Sequence, residues 1–348
     1  ALATLNAGAT AYNVAVGYDA GTAVTTGIRN TIIGGLTGDA LTDADYNVAV
    51  GWGALTTDTL GSNSTAVGYR SLNAQNFTTA TDSFNTAVGH AAGAAVTTGI
   101  FNSLHGASAG SSLTDADRNT AVGMNALGSD TLGSKSTAVG QSALFAQNFT
   151  TATDSHNTAV GYNAGVTVTT GRYNTVLGSL AGDALTDGDW NVALGVNALT
   201  TDTSGCTSVA IGSNSLQVQN FTSATDTYNV AVGYNAGVVV TTATGNTLLG
   251  GLAGDAITTG QDNVCVGYLA GTYQADVTTG AGNVLVGPYT KPADGTDNFA
   301  HGFGYNLSCA GDFTTLGQGS SDSRLAHGGT TWATVSDQRY KKDIVDST

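Results

Sequence analysis

A short apolar alternation, Val14-Ala15-Val16, is closed by Gly17 and followed by a polar stretch, and this order of positions recurs along almost the whole chain. The closing Gly falls at 17, 34, 51 and 68, then at 89, 106, 123 and 140, and then at 161, 178, 195 and 212. It continues at 233, 250, 267, 287 and 302. Three equal steps and a longer fourth make one super-repeat, which runs from Gly17 to Gly89, from Gly89 to Gly161 and from Gly161 to Gly233. Thus Asn85-Thr86-Ala87-Val88-Gly89-His90-Ala91-Ala92-Gly93 returns as Asn157-Thr158-Ala159-Val160-Gly161-Tyr162-Asn163-Ala164-Gly165. Alternation at period two belongs to a strand. A unit as short as the step from Gly17 to Gly34 cannot bury its own apolar face and has to stack on its neighbours. The pattern predicts an all-β parallel β-solenoid of about 17 coils, one unit per coil.

In Val14-Ala15-Val16 the alternation puts the two valines on one face and Ala15 on the other. The larger valines are expected to fill the coil interior. The small Ala face would then admit close approach by another chain, as in a homotrimer packed or intertwined around a threefold axis. Every fourth coil carries a larger residue at the Ala position (Ile32, Leu104, Val176, Leu248), which reads as a periodic apolar plug. His105 and His301 take the valine position before their Gly and by the same parity face inward. There they would either hold an ion on the trimer axis or bond, neutral, to a backbone carbonyl.

Composition agrees with a β-chain of thin cores. Of 348 residues 49 are Gly, against a usual share of about 7%, and all 25 acidic residues are Asp. Without Glu, and with few Lys or Met, the strong helix formers are scarce. The formal charge of −15 leaves nothing to replace phosphate counterions, so no nucleic acid partner is expected. The apolar runs are too short for membrane insertion as a helix. Cys206, Cys265 and Cys309 show neither metal nor disulfide spacing.

Two sets of repeated positions are candidates for binding. The fourth coil of each super-repeat has four extra residues, in 75–82, 147–154 and 219–226. These loops offer Asn76, Phe77, Asn148, Phe149, Asn220 and Phe221 either to a receptor or as rings tucked against the neighbouring coil. The turns Asp43-Ala44-Asp45, Asp115-Ala116-Asp117 and Asp187-Gly188-Asp189 place two carboxylates side by side. A pair supplies at most four of the six to eight oxygens that Ca²⁺ takes, and Asp is also an ordinary turn residue. The repeat contains no unique acidic cluster of the sort a glycosidase needs. The Thr-Thr pairs at 25–26, 97–98, 169–170 and 241–242 recur too sparsely for an ice-matching surface.

The repeated Asn-Thr-Ala-Val-Gly-Tyr-Asn-Ala-Gly resembles the head repeats of trimeric autotransporter adhesins, over roughly residues 11–302; similar repeats occur in phage tail fibres. The resemblance implies a left-handed parallel β-roll in a homotrimer. Beyond a Gly/Ser-rich segment lies Ser336-Asp337-Gln338-Arg339-Tyr340-Lys341, preceded by Trp332. Ser-Asp-x-Arg-x-Lys is similar to the entrance of the intramolecular chaperone of phage endosialidases, tail spikes and tail fibres. That resemblance implies self-cleavage between Ser336 and Asp337, with Ser336 as nucleophile and Lys341 as its base. A desolvated Lys can lower the barrier to hydroxyl attack in this way. The expected organisation is a shaft over 1–302, a cap and linker strand over 303–335, and the start of a chaperone over 336–348, its body following Thr348. The expected function is a virion tail-fibre subunit. It would join upstream tail or fibre proteins and bind a host cell-surface glycan or protein receptor. A bacterial trimeric surface adhesin is the alternative.

Overall fold

The computed structural model describes residues 1–6, 10–272 and 277–334. Among them there is no helix, and the chain forms a parallel β-solenoid of about 18 turns with coils of about 17 residues. It divides into two compact units, Ala1–Asp189 and Trp190–Thr348. In the first unit, three-residue strands run from Val14–Val16 to Thr175–Leu177. Successive strands pair in parallel and without slippage: Val14, Ala15 and Val16 face Thr31, Ile32 and Ile33, which in turn face Val48, Ala49 and Val50. The second wall of the coil forms ladder pairs beside the long coils, Gly61–Ser62 with Thr81–Asp82 and Gly133–Ser134 with Thr153–Asp154.

The expected sense of the strand alternation is reversed. Ala49, Ala66, Ala87, Ala121 and Ala138 are fully buried, whereas Val16 is 59% and Val122 38% exposed. The Ala side is therefore the coil interior and is not available to a partner chain. Volume explains the choice. Leu55, Leu72, Leu127 and Leu144, entirely buried, reach in from the turn after the Gly bend and meet Ala on the strand. In the second coil that turn position is Gly38 or Gly110, and the strand centre is Ile32 or Leu104. A Cβ on Gly110 would lie 2.7 Å from Leu104 Cδ2, and one on Gly38 3.5 Å from Ile32 Cγ2. In the second to fourth coils a large residue thus goes with a small one across a core only one side chain deep. In the first, where Ala87 and Gly93 are both small, Leu72 and Leu104 of the adjacent coils reach in, as close packing requires. The plugs are real, but they fill the chain's own interior.

Two devices register the coils. A buried Asn precedes each strand in most coils: Asn47 N–H donates to Asn30 Oδ1 (2.9 Å), and Asn47 Nδ2 donates to the Gly61 carbonyl (2.9 Å). Asn102 repeats both bonds with Asn85 and Ala116. The Gly closing the strand turns the chain at a φ open only to Gly. Gly106 has φ 139°, and a Cβ there would stand 2.5 Å from the Gly123 carbonyl oxygen.

The second unit continues the pattern from Val192–Leu194 through Val284–Val286 to His301–Tyr305. Its last bend is not at Gly302, which pairs with Leu285 in the inward slot. Gly304, one regular step beyond Gly287, lies against that bend, but within the continuous strand His301–Tyr305 and without the positive φ of the bends before it. Phe313–Gln318 adds one more parallel strand, after which Ser321–Ala326 and Ala333–Thr334 pair antiparallel. No helix among the described residues is long and apolar enough to cross a membrane.

Candidate functional site

Each long coil carries a buried polar cluster and the loop that the cluster holds. In the third coil Asp58 occupies the inward slot that Val24 and Leu41 fill in the two coils before, and Gln75 occupies it in the fourth. Asp58 Oδ1 accepts the N–H groups of Gly61 and Phe77 (both 3.0 Å), and its Oδ2 accepts Gln75 Nε2 (2.6 Å). Gln75 Nε2 also reaches the Ser64 hydroxyl (2.8 Å), while Gln75 Oε1 accepts Asn85 Nδ2 (2.9 Å). Ser64 replaces the Asn of the other coils, which leaves room for Gln75. The arrangement recurs at Asp130, Gln147, Ser136 and Asn157. It recurs again at Asp202, Gln219, Ser208 and Asn229. Buried polar groups of this kind are tolerable because each is paired.

The cluster sets what the loops present. Phe77, Phe149 and Phe221 are buried, 5–9% exposed, with Phe77 lying over Gly61. Their rings therefore pack on the shaft, and a receptor would meet other atoms. Asn76, Asn148 and Asn220 are exposed, and each accepts a hydroxyl from the coil before: Thr59 at 3.3 Å, Thr131 at 3.0 Å and Thr203 at 3.2 Å. Thr78, Thr79 and Ala80, with 150–152 and 222–224, form the outer rims.

The paired aspartates serve the ladder. Asp43 accepts the Thr26 hydroxyl and Asp45 the Ile28 N–H (2.8 Å); Asp115 accepts the Thr98 hydroxyl and Asp117 the Ile100 N–H (2.8 Å). Among the described residues no group of three or more His, Cys or Asp side chains is placed to hold a metal ion. His105 is exposed on the outer face of its strand, so its inward placement is corrected for the same reason as that of the valines. Cys206, Cys265 and Cys309 are buried thiols, and burial pushes the Cys265 thiol up to about 12.

His301 also lies outside the coil interior. Its ring sits 4.6 Å from that of His327, whose Nε2 is 3.3 Å from the Thr314 hydroxyl. Burial and the neighbouring His327 hold His301 below the ordinary imidazole range. A depressed His disfavours protonation in the native state. Its contribution is therefore complete above the unfolded value of about 6.5 and is lost as pH falls below it. Corrected amide exchange in 301–305 and 321–326 is expected to accelerate between pH 7 and 5. His301→Gln should remove that acceleration; equal acceleration in both proteins rules this pair out as its source.

Ser336, Asp337 and Lys341 lie outside the described residues; Trp332 just before them is 47% exposed. Sequence reasoning found the loops by their insertion but missed the Asp-Gln-Ser clusters. Their signal is Asp58 and Gln75 standing in phase with Val24 and Leu41. No protein-family model, curated protein or solved structure matches the chain.

Proposed function

We propose that the chain is the shaft of a homotrimeric attachment fibre of the phage tail type, bearing rigid loops for a host-surface glycan or protein. The observation that carries this reading is the regularity of the solenoid. Among the described residues coil after coil repeats one hydrogen-bonded cross-section, and a loop anchored from within departs from it at every fourth coil. An enzyme site would interrupt that regularity. A fibre needs reach, stiffness and repeated contact points, and a solenoid supplies all three. The Ser336-Asp337-Gln338-Arg339-Tyr340-Lys341 sequence adds the resemblance to a chaperone junction, where Ser336 would attack and Lys341 would act as base. The reading requires no cofactor, nucleic acid or membrane insertion. The adhesin alternative rests on the repeat alone.

Attachment is tested by co-sedimentation with a panel of bacterial envelopes. Replacing Asn76, Asn148 and Asn220 together by Ala is expected to weaken retention about tenfold. Unchanged retention would remove these residues from the attachment role. The junction is tested on the gene extended beyond Thr348. The natural sequence should shed its C-terminal fragment and Ser336→Ala should remain whole. Equal fragmentation of both would exclude Ser336 as nucleophile.

A further inference from the structure

The reversal of the strand faces leaves an uncommon surface on the first unit. Four outward positions per coil line up into columns: those of Tyr46, Val48, Val50 and Trp52 in one coil and of Phe84, Thr86, Val88 and His90 two coils on. Over the ten strands from Val14–Val16 to Thr175–Leu177 these columns contain no acidic residue. Yet residues 1–189 hold 13 Asp. The same columns hold every His of the unit, His90, His105 and His156, along with Arg29, Arg118 and Lys135. The middle of the face pairs a column of mostly Thr, such as Thr31, Thr65 and Thr86, with a mostly aliphatic one, in which Ile33 is 39%, Val122 38% and Leu177 38% exposed.

The aromatic residues at its margins are already ordered. Trp52, Tyr69 and His90 stack at 5.3 and 5.2 Å; Phe84 stacks on Phe101 at 5.5 Å, and Arg118 lies 5.3 Å from the Phe101 ring centre. Side chains fixed before contact lose little entropy on contact.

We propose that this face is where copies of the chain pack against one another, a proposal that rests on the homotrimeric reading above and assigns its surface. Area supports a copy of the chain as the occupant. At about 4.8 Å per strand and about 3.3 Å per residue, ten strands of this width project roughly 900 Å². A stable interface needs about 800 Å² from each partner. Charge supports it as well. A chain of net charge −15 repels its own copies, and this face has been kept clear of the carboxylates that would sharpen the repulsion at contact.

The experiment uses the full chain. Light scattering is expected to give a multimer, and Val67→Asp and Val139→Asp should each weaken association at least about 100-fold, because each buries a charge in the contact. Circular dichroism should be unchanged, since both side chains point away from the coil interior, and Thr150→Asp on a loop rim should assemble normally. Acrylamide quenching supplies a measurement without a disruptive variant. With Trp190→Phe and Trp332→Phe, the remaining Trp52, 49% exposed in the single chain, should become shielded in the multimer. A multimer that keeps Trp52 open and tolerates both Asp variants overturns this face and leaves the fibre reading standing. A monomer at tens of micromolar overturns both the face and the homotrimer. That includes a monomer that instead binds an anionic polysaccharide here.

Discussion

Asp130→Ala is expected to lower the stability of its coils by about 3–6 kcal/mol, the largest effect of any single substitution proposed for this chain. The carboxyl group is fully buried and is the acceptor for three donors, the N–H groups of Gly133 and Phe149 and Nε2 of Gln147. Each buried donor left without a partner costs about 1–3 kcal/mol. Asp130→Asn should cost less. An amide oxygen can still serve both N–H groups, but its nitrogen opposes Gln147 Nε2. Turning Gln147 over to meet it would take Oε1 away from Asn157, which now donates to it at 2.8 Å. Native-state hydrogen exchange across 130–157 measures both effects. Equal protection in Asp130→Ala and the parent would show that the cluster bears no weight.

The second large effect is expected at a strand-closing bend. Gly106→Ala forces an L side chain into φ 139° and pushes its Cβ to 2.5 Å from the Gly123 carbonyl oxygen. The backbone strain alone is worth about 1–3 kcal/mol. The contact adds to it, because the opposing atom is backbone and has no rotamer to escape into. Urea unfolding should show a loss of about 3 kcal/mol. Coils interact with their neighbours and little beyond. The loss should therefore appear first as faster exchange in the strands Thr86–Val88 and Thr120–Val122, and a uniform rise along the unit would contradict nearest-neighbour coupling.

The coil repeat and the parallel pairing were legible because Gly marks a backbone conformation that no other residue adopts, and its spacing is visible by eye. Which strand face points inward was not legible from alternation, since parity gives two faces without a sign. The sign lies in a reciprocity between distant positions: Gly38 goes with Ile32, and Leu55 goes with Ala49. Only with the Ala side inward does the large residue of each such coil meet a small one. The last bend was misplaced for a similar reason. Gly302 follows Ala300 and His301 as a bend would, but the regular step from Gly287 falls two residues later, at Gly304, and the strand His301–Tyr305 runs through both. For the loops, the four-residue insertion was readable. The burial of Phe77 was not, because it depends on Asp58, in the coil before, taking the Phe77 N–H.

The Asn ladder bears on how the length of this protein can change over generations. Asn85 and Asn157 make the same bonds on both sides: each donates to the Gln of its long coil and to the Gly carbonyl of the next, and each accepts the N–H of the following Asn. Joining Asn85 directly to Thr158 would delete one whole super-repeat and leave each hydrogen-bonding group of the Asn ladder with a mate of the same kind. Genetic recombination between misaligned copies of the repeat therefore yields a shorter or longer protein whose splice point is already a native contact, so reach can be selected without any new structure having to evolve.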